Sequence, residues 1–139
     1  MNIELKALGS GNTSYRFDKP DASLLERFVS PFASEENQVQ ATGQVHIEIP
    51  EFTSLCPITG QPDFAKIVIN YLPDHYCVES KSLKLYMGSF RNFGEFHESC
   101  VNRMINDLVR LLNPHEIQVQ GQFSPRGGIP FWPTATWSK

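Results

Sequence analysis

The sequence predicts an α+β fold, an antiparallel sheet backed by helices. Two patterns carry that prediction. Three segments alternate apolar and polar residues, the period of strands with one covered face, and a fourth is an almost continuous β-branched run. One long segment instead repeats its apolar residues at helical spacing, between a capping signal and an Asn-Pro stop. The length, 139 residues, suits a single domain over 1–139 with a real core, in which residues 1–40 form an N-terminal arm.

In chain order, the first forty residues are polar and broken by Pro20 and Pro31. They hold one short helical candidate, "DASLLERF" (21–28), opened by an Asp or Ser cap. "QVHIEI" (44–49) then alternates Val45, Ile47 and Ile49 with His46 and Glu48. "AKIVINY" (65–71) is β-branched and almost continuous. "SLKLYM" (82–87) sets Leu83 and Leu85 against Lys84 and reads as a third strand. A helix is expected over 93–112, capped by Asn92 with Glu95 three residues on and ended by "NP" at 113–114. Val101, Met104, Ile105, Leu108 and Leu112 make its apolar stripe. At about 100° per residue, His97 falls in the middle of that stripe and Glu98 at its edge. "EIQVQGQF" (116–123) closes the set of strands, with Ile117, Val119 and Phe123 against three glutamines.

Composition narrows the function. The net charge of −3 argues against a general nucleic-acid binder, which is usually basic. The N-terminus has no apolar leader core and no run reaches membrane-spanning length, so a soluble, cytoplasmic protein without membrane contact is expected. The three cysteines, Cys56, Cys77 and Cys100, form an odd set without a CxxC pair, which points to free thiols in a reducing compartment. "GSGNTS" (9–14) is a poor dinucleotide fingerprint, having no strand before it, and there is no P-loop.

Several residues are candidates for chemistry. Cys56 sits in "SLCPITGQPDF" (54–64) at a strand-to-loop junction, either as a buried structural thiol or as an accessible nucleophile. Asp63, seven positions on, is either a turn-former or its proton partner. His97 and Glu98 share a helix start, where amide donors and the dipole favour a carboxylate. Glu98 is there either as a charge complementing the dipole or as a reader of adjacent N–H donors on a guanine-type base. Zinc is the rival reading: His75-x-Cys77 and His97-x-x-Cys100, with Cys56, are short enough to ligate it. Lys81, Lys84 and Arg91 in "ESKSLKLYMGSFRN" (79–92) can face a phosphate or water. Arg126 beside Gly127 in "SPRGG" (124–128) can bring a cation and backbone N–H groups onto a phosphate.

"FTSLCPITGQPDFA", "ESKSLKLYMGSFRN", "FHE" and "SPRGG", in this order, resemble the QueF family of NADPH-dependent 7-cyano-7-deazaguanine reductases in its short form. The similarity extends over nearly the whole chain, including "SYRFDKPDASLLERF". It implies a nitrile reductase of queuosine biosynthesis, a pathway of tRNA modification. Such an enzyme acts on the free deazapurine base rather than on tRNA and makes 7-aminomethyl-7-deazaguanine with two NADPH. It implies Cys56 as the nucleophile that forms a thioimide, Asp63 as proton donor, and His97 beside the reacting nitrile. Val78, Glu79 and Ser80, with His97 and Glu98, would bind the base. Ser80, Lys81, Lys84, Arg126 and Gly127 would hold the cofactor, and no metal is expected. The implied fold is the tunnelling fold, whose subunit sheets close a barrel in a homo-oligomer, here a decamer of two pentamers. The polar faces of 44–49 and 116–123 would line its tunnel. The zinc-dependent GTP cyclohydrolases share that fold, and a hydrolase of their kind is the alternative. Cys56 and Cys100, both in elements that supply site residues, are candidates for a protective disulfide.

Overall fold

Antiparallel pairing organises the chain, seen in a computed structural model that describes residues 5–6 and 14–139. Most of "GSGNTS" lies outside the described residues. A four-stranded sheet runs in the order β2 (Val45–Leu55), β3 (Pro62–Leu72), β5 (Glu116–Phe123), β6 (Thr134–Ser138). A second, two-stranded sheet pairs β1 (Arg27–Val29) with β4 (Tyr76–Val78). Two helices, α1 (Ser80–Gly88) and α2 (His97–Leu112), complete the fold. The predicted α+β class holds.

One face of the large sheet carries the core. Ala65, Ile67, Ile69 and Tyr71 of β3 and Ile117, Val119 and Phe123 of β5 are buried there. They lie against Cys100, Val101, Met104, Ile105, Leu108 and Leu112 of α2, the stripe expected from helical spacing. The opposite face is polar. His46 bonds Asn70 at 2.6 Å and Glu48 at 2.8 Å, and Lys66 reaches Glu48 at 2.7 Å.

β2 continues past the alternating stretch through an irregularity between Ile49 and Phe52. Val45, Ile47 and Ile49 oppose Tyr71, Ile69 and Ile67, whereas beyond the bulge Phe52 opposes Ala65 and Ser54 opposes Asp63. A bulge inserts one residue and so exchanges the faces of everything after it. Without it Ser54 would point to the polar face; with it, Ser54 and Asp63 share the helix-covered side.

Three local expectations are corrected. Residues 82–87 are helical, part of α1, and not a strand. Glu79 caps that helix, its carboxylate accepting from the Lys81 and Ser82 amides at 2.9 and 2.8 Å. The same residues also carry a helical stripe, Leu83, Tyr86, Met87 and Phe90, and it is buried. The long helix begins at His97 and not 93. The Asn92 N–H goes to the Phe17 carbonyl at 2.8 Å and residues 93–95 are bound to the end of β2, so the capping signal at 92–95 is spent elsewhere. Finally, 21–28 forms only a 3-10 turn, Ala22–Leu24, capped as expected by Asp21, before Arg27–Val29 pairs with β4. β4 and β6 are short strands that the alternation did not reveal.

Candidate active site

Three segments meet at the end of β2. The first is the loop between β2 and β3. Its ends are fastened by the Cys56 N–H to the Gln61 carbonyl at 2.8 Å and the Gly60 N–H to the Cys56 carbonyl at 3.0 Å. Gly60 takes the left-handed conformation the turn requires, with φ of 72°. The second is 93–96: Leu55 donates to the Phe93 carbonyl and accepts from the Glu95 N–H, both at 3.0 Å. A Cβ on Gly94 would lie 3.0 Å from the Pro57 Cα, so a side chain there would push this segment off the loop. The third is 124–129, pinned by the Ser124 N–H to the Phe64 carbonyl at 2.8 Å. It turns back at Gly127 and Gly128, both left-handed.

Between them lies a cavity of about 220 Å³ lined by Cys56, Asp63, Phe96, His97, Glu98, Arg126 and others. Asp63 is buried, 5% exposed. Its carboxylate bonds the Arg126 guanidinium through one oxygen and faces His97 Nε2 at 3.3 Å through the other. The His97 ring lies flat on Phe123, centroids 3.9 Å apart and planes within 7°, with Phe131 at its edge. Behind it, Arg103 grips Glu95 with its Nε and Nη2, the shortest bond 2.8 Å, which ties the segment before the helix to the helix body.

The thiol of Cys56 is acidified to about 6. The Thr59 hydroxyl lowers it most, followed by the Thr59 and Ile58 amides and then the Arg126 guanidinium. Hydrogen bonds to the ionised form favour it, so Cys56 is a thiolate at neutral pH. The Cys100 thiol is pushed the other way, to about 12, chiefly by burial and next by the Glu95 carboxylate. It donates to Ser54 Oγ at 3.9 Å. The two cysteines are separate free thiols, so the expected pairing is not formed here.

Of the residues expected to form one site, Cys56, Asp63, His97, Glu98 and Arg126 share this cavity. Val78, Ser80 and Lys84 instead line a second, about 780 Å³, between α1 and β2, together with Arg91. Glu79 is buried as the cap of α1, and Lys81 lies on the same helix. Gly127 stands beside Arg126 at the tip of its loop. Among the described residues, no three His, Cys, Asp or Glu side chains are grouped so as to hold a metal. Thr59, Phe96, Phe123 and Phe131 were not singled out as site residues. The aromatic pair Phe131–Trp132 just after the glycines is the sequence signal that could have pointed to this rim.

Comparison with known proteins agrees. A family model described as QueF-like protein matches residues 62–139. The NADPH-dependent 7-cyano-7-deazaguanine reductase of Streptococcus thermophilus is 52% identical over 129 residues, 93% of this chain and 75% of the relative. Its namesake in Staphylococcus saprophyticus is 50% identical over 138 residues, 98% of this chain and 78% of the relative. Among solved structures, the apo archaeosine synthase QueF-Like aligns with a TM-score of 0.64 at 20% identity, covering 69% of this chain and 94% of that one; it supports the fold alone. Sequence, fold and comparisons together show that this chain belongs to the QueF family.

Proposed function

We propose that this protein reduces the nitrile of 7-cyano-7-deazaguanine to the amine of 7-aminomethyl-7-deazaguanine, with NADPH as reductant and Cys56 as nucleophile. One observation carries the reading: an acidified thiol, a buried carboxylate and an imidazole converge on a single small cavity. Its volume is below the roughly 300–1,000 Å³ of drug-sized pockets, which suits a planar base better than a dinucleotide. The names of the relatives that are half identical agree with it.

Cys56 Sγ adds to the nitrile carbon, opening one π bond, and the nitrogen takes a proton, leaving a thioimide. Asp63, held by Arg126 and His97, is the group at hand to deliver that proton. Two NADPH molecules, bound one after the other, would each supply one hydride, and the two hydrides with two further protons balance nitrile to amine. Between the two reductions the carbon–sulfur bond breaks and Cys56 leaves as thiolate. His97, fixed flat on Phe123, faces the nitrogen, and Glu98 accepts from the N–H edge of the base.

The residues fit a phosphorylated dinucleotide: Ser80, Lys81 and Lys84 lie on one helix, and Arg126 and Gly127 on a tight loop. Val78, Glu79 and Ser80 belong to the same wall, which would also reach the base. Within one chain, however, Val78, Ser80 and Lys84 line a cavity other than that of Cys56. We therefore place the complete site between subunits of a homo-oligomer, a barrel-forming assembly of two pentamers. Phe64, Phe96, Ile129, Phe131 and Trp132, each more than half exposed near the cavity or the neighbouring strand ends, support this. The free base and not tRNA is the substrate, and the cytoplasm the place of action.

Mixing the protein with the cyano base in the absence of NADPH tests the reading by intact mass. The expected result is an increase equal to the base, forming faster as pH rises through about 6 and absent in Cys56→Ala. No adduct, or one that survives the substitution, overturns it.

A further inference from the structure

The geometry points to Arg103 as a positioning residue: its clasp on Glu95 stands in for the missing side-chain cap of α2 and holds His97 and Glu98 at the cavity they share with Cys56. The use of those two residues on a deazapurine rests on the nitrile-reductase reading; the clasp itself does not.

A helix start leaves amides unpaired, and a side chain just before the first turn normally binds them. Phe96, which holds that place in α2, makes no such bond. Yet the first turn carries His97 and Glu98, both in the cavity wall, where fraying would blur their placement. Arg103, in the second turn, reaches back past the helix start instead. Its Nε bonds Oε1 and Oε2 of Glu95 at 3.2 and 3.1 Å, and its Nη2 bonds Oε1 at 2.8 Å. The guanidinium also stands over the Phe93 ring, 5.6 Å from its centre. The planar fork of an arginine fixes direction as well as distance, so the segment 93–96 is locked to the helix body.

β2 holds the other side of that segment. Leu55 bonds it at Phe93 and Glu95, and Gly94 lies close against Pro57. The clasp therefore joins the Cys56 loop to the helix end that faces it. It also has an electrostatic use. The Glu95 side chain is 11% exposed and lines the same cavity as Cys56, Asp63 and Glu98. Pairing with Arg103 offsets its charge where three other acidic groups already gather. Arg103 itself lies in an outer groove shared with Glu95, so it can be changed without altering the cavity wall.

Stacking on Phe123 at 3.9 Å shields the His97 ring protons, which gives a signature that needs neither base nor NADPH. Among the four histidines, the proton NMR signal of His97, assigned with His97→Gln, should lie upfield in the wild type. In Arg103→Met, which keeps the bulk of the side chain, that signal should return toward the position of an exposed histidine while the other three stay in place. Arg103→Lys, which keeps one charged contact, should fall between. A His97 signal unmoved in Arg103→Met, or one that moves together with the other three, overturns the proposal. Affinity for the cyano base is then measured in a Cys56→Ala background, where no adduct forms. Arg103→Met should weaken it by about tenfold, as loss of one hydrogen bond to a charged group does; unchanged affinity overturns the role in recognition. If the Cys56→Ala protein binds no base at all, the nitrile-reductase reading fails, while the His97 signal still decides the clasp.

Discussion

Two thiols flank the end of β2, and their surroundings drive them to opposite ends of the pH range. Cys56 is acidified by three local donors and Arg126, while Cys100, enclosed by the sheet and α2, stays protonated. The difference is one of access to donors, since both side chains are the same. Asp63 depends in the same way on its neighbours. It is buried, and what makes a buried carboxylate tolerable is charge and hydrogen-bond pairing, here Arg126 and His97. Asp63→Asn should therefore lower steady-state NADPH oxidation by about 10²- to 10⁴-fold, the usual contribution of a positioned acid. Alkylation of Cys56 needs no delivered proton and should persist in that variant. If turnover is unaffected, Asp63 is not the donor.

At the scale of elements, α1 shows how two periodicities can coexist in one stretch. Leu83 and Leu85 alternate with Lys84 as in a strand, but Leu83, Tyr86, Met87 and Phe90 recur as in a helix, and the cap decides. Both Glu79 oxygens bind amides of the first turn, with Ser82 turned inward to the Glu79 carbonyl at 2.8 Å. Glu79→Ala should cost about 1 kcal/mol, the typical loss of an N-cap, read by urea denaturation without ligand; no loss would mean that the cap is not what holds α1. The start of α2 is set differently. Its capping residue, Phe96, offers no side-chain bond, and the preceding residues are held by β2 and by the Glu95–Arg103 pair. That displacement brings His97 and Glu98 to the first turn of the helix, at the mouth of the cavity. The helix ends where the Asn-Pro signal said, Asn113 taking the left-handed conformation with φ of 43°.

For the whole molecule, the open features are the sheet edges and the aromatic rim. β2 and β6 are the outer strands of the large sheet, and unpaired edges invite further strands. Phe64 and Trp132 add exposed apolar surface close by. Sedimentation of the wild-type protein should show an oligomer. Phe64→Glu with Trp132→Glu should yield smaller species that lose NADPH oxidation yet keep the reactive Cys56. A wild-type protein that sediments as an active monomer would refute the shared site.

The sequence by itself determined the fold class, the strands at 44–49, 65–71 and 116–123 and the buried stripe of α2. These depend on local periodicity, and a pattern of period 2 or 3.6 is written directly in the order of residues. It also nominated Cys56, Asp63, His97, Glu98 and Arg126, through motifs read as a resemblance, and the fold brings these five to one cavity. The tertiary structure alone decided that 82–87 is a helix, because a cap and a buried stripe outweigh alternation. It alone decided that a bulge at 50–51 turns Ser54 to the side of Asp63. The acidity of Cys56 likewise depends on groups of its own loop, Ile58 and Thr59, and on an arginine seventy residues further on. Those contacts join residues distant in the chain or bend it against its own period, and neither effect leaves a repeat to be read.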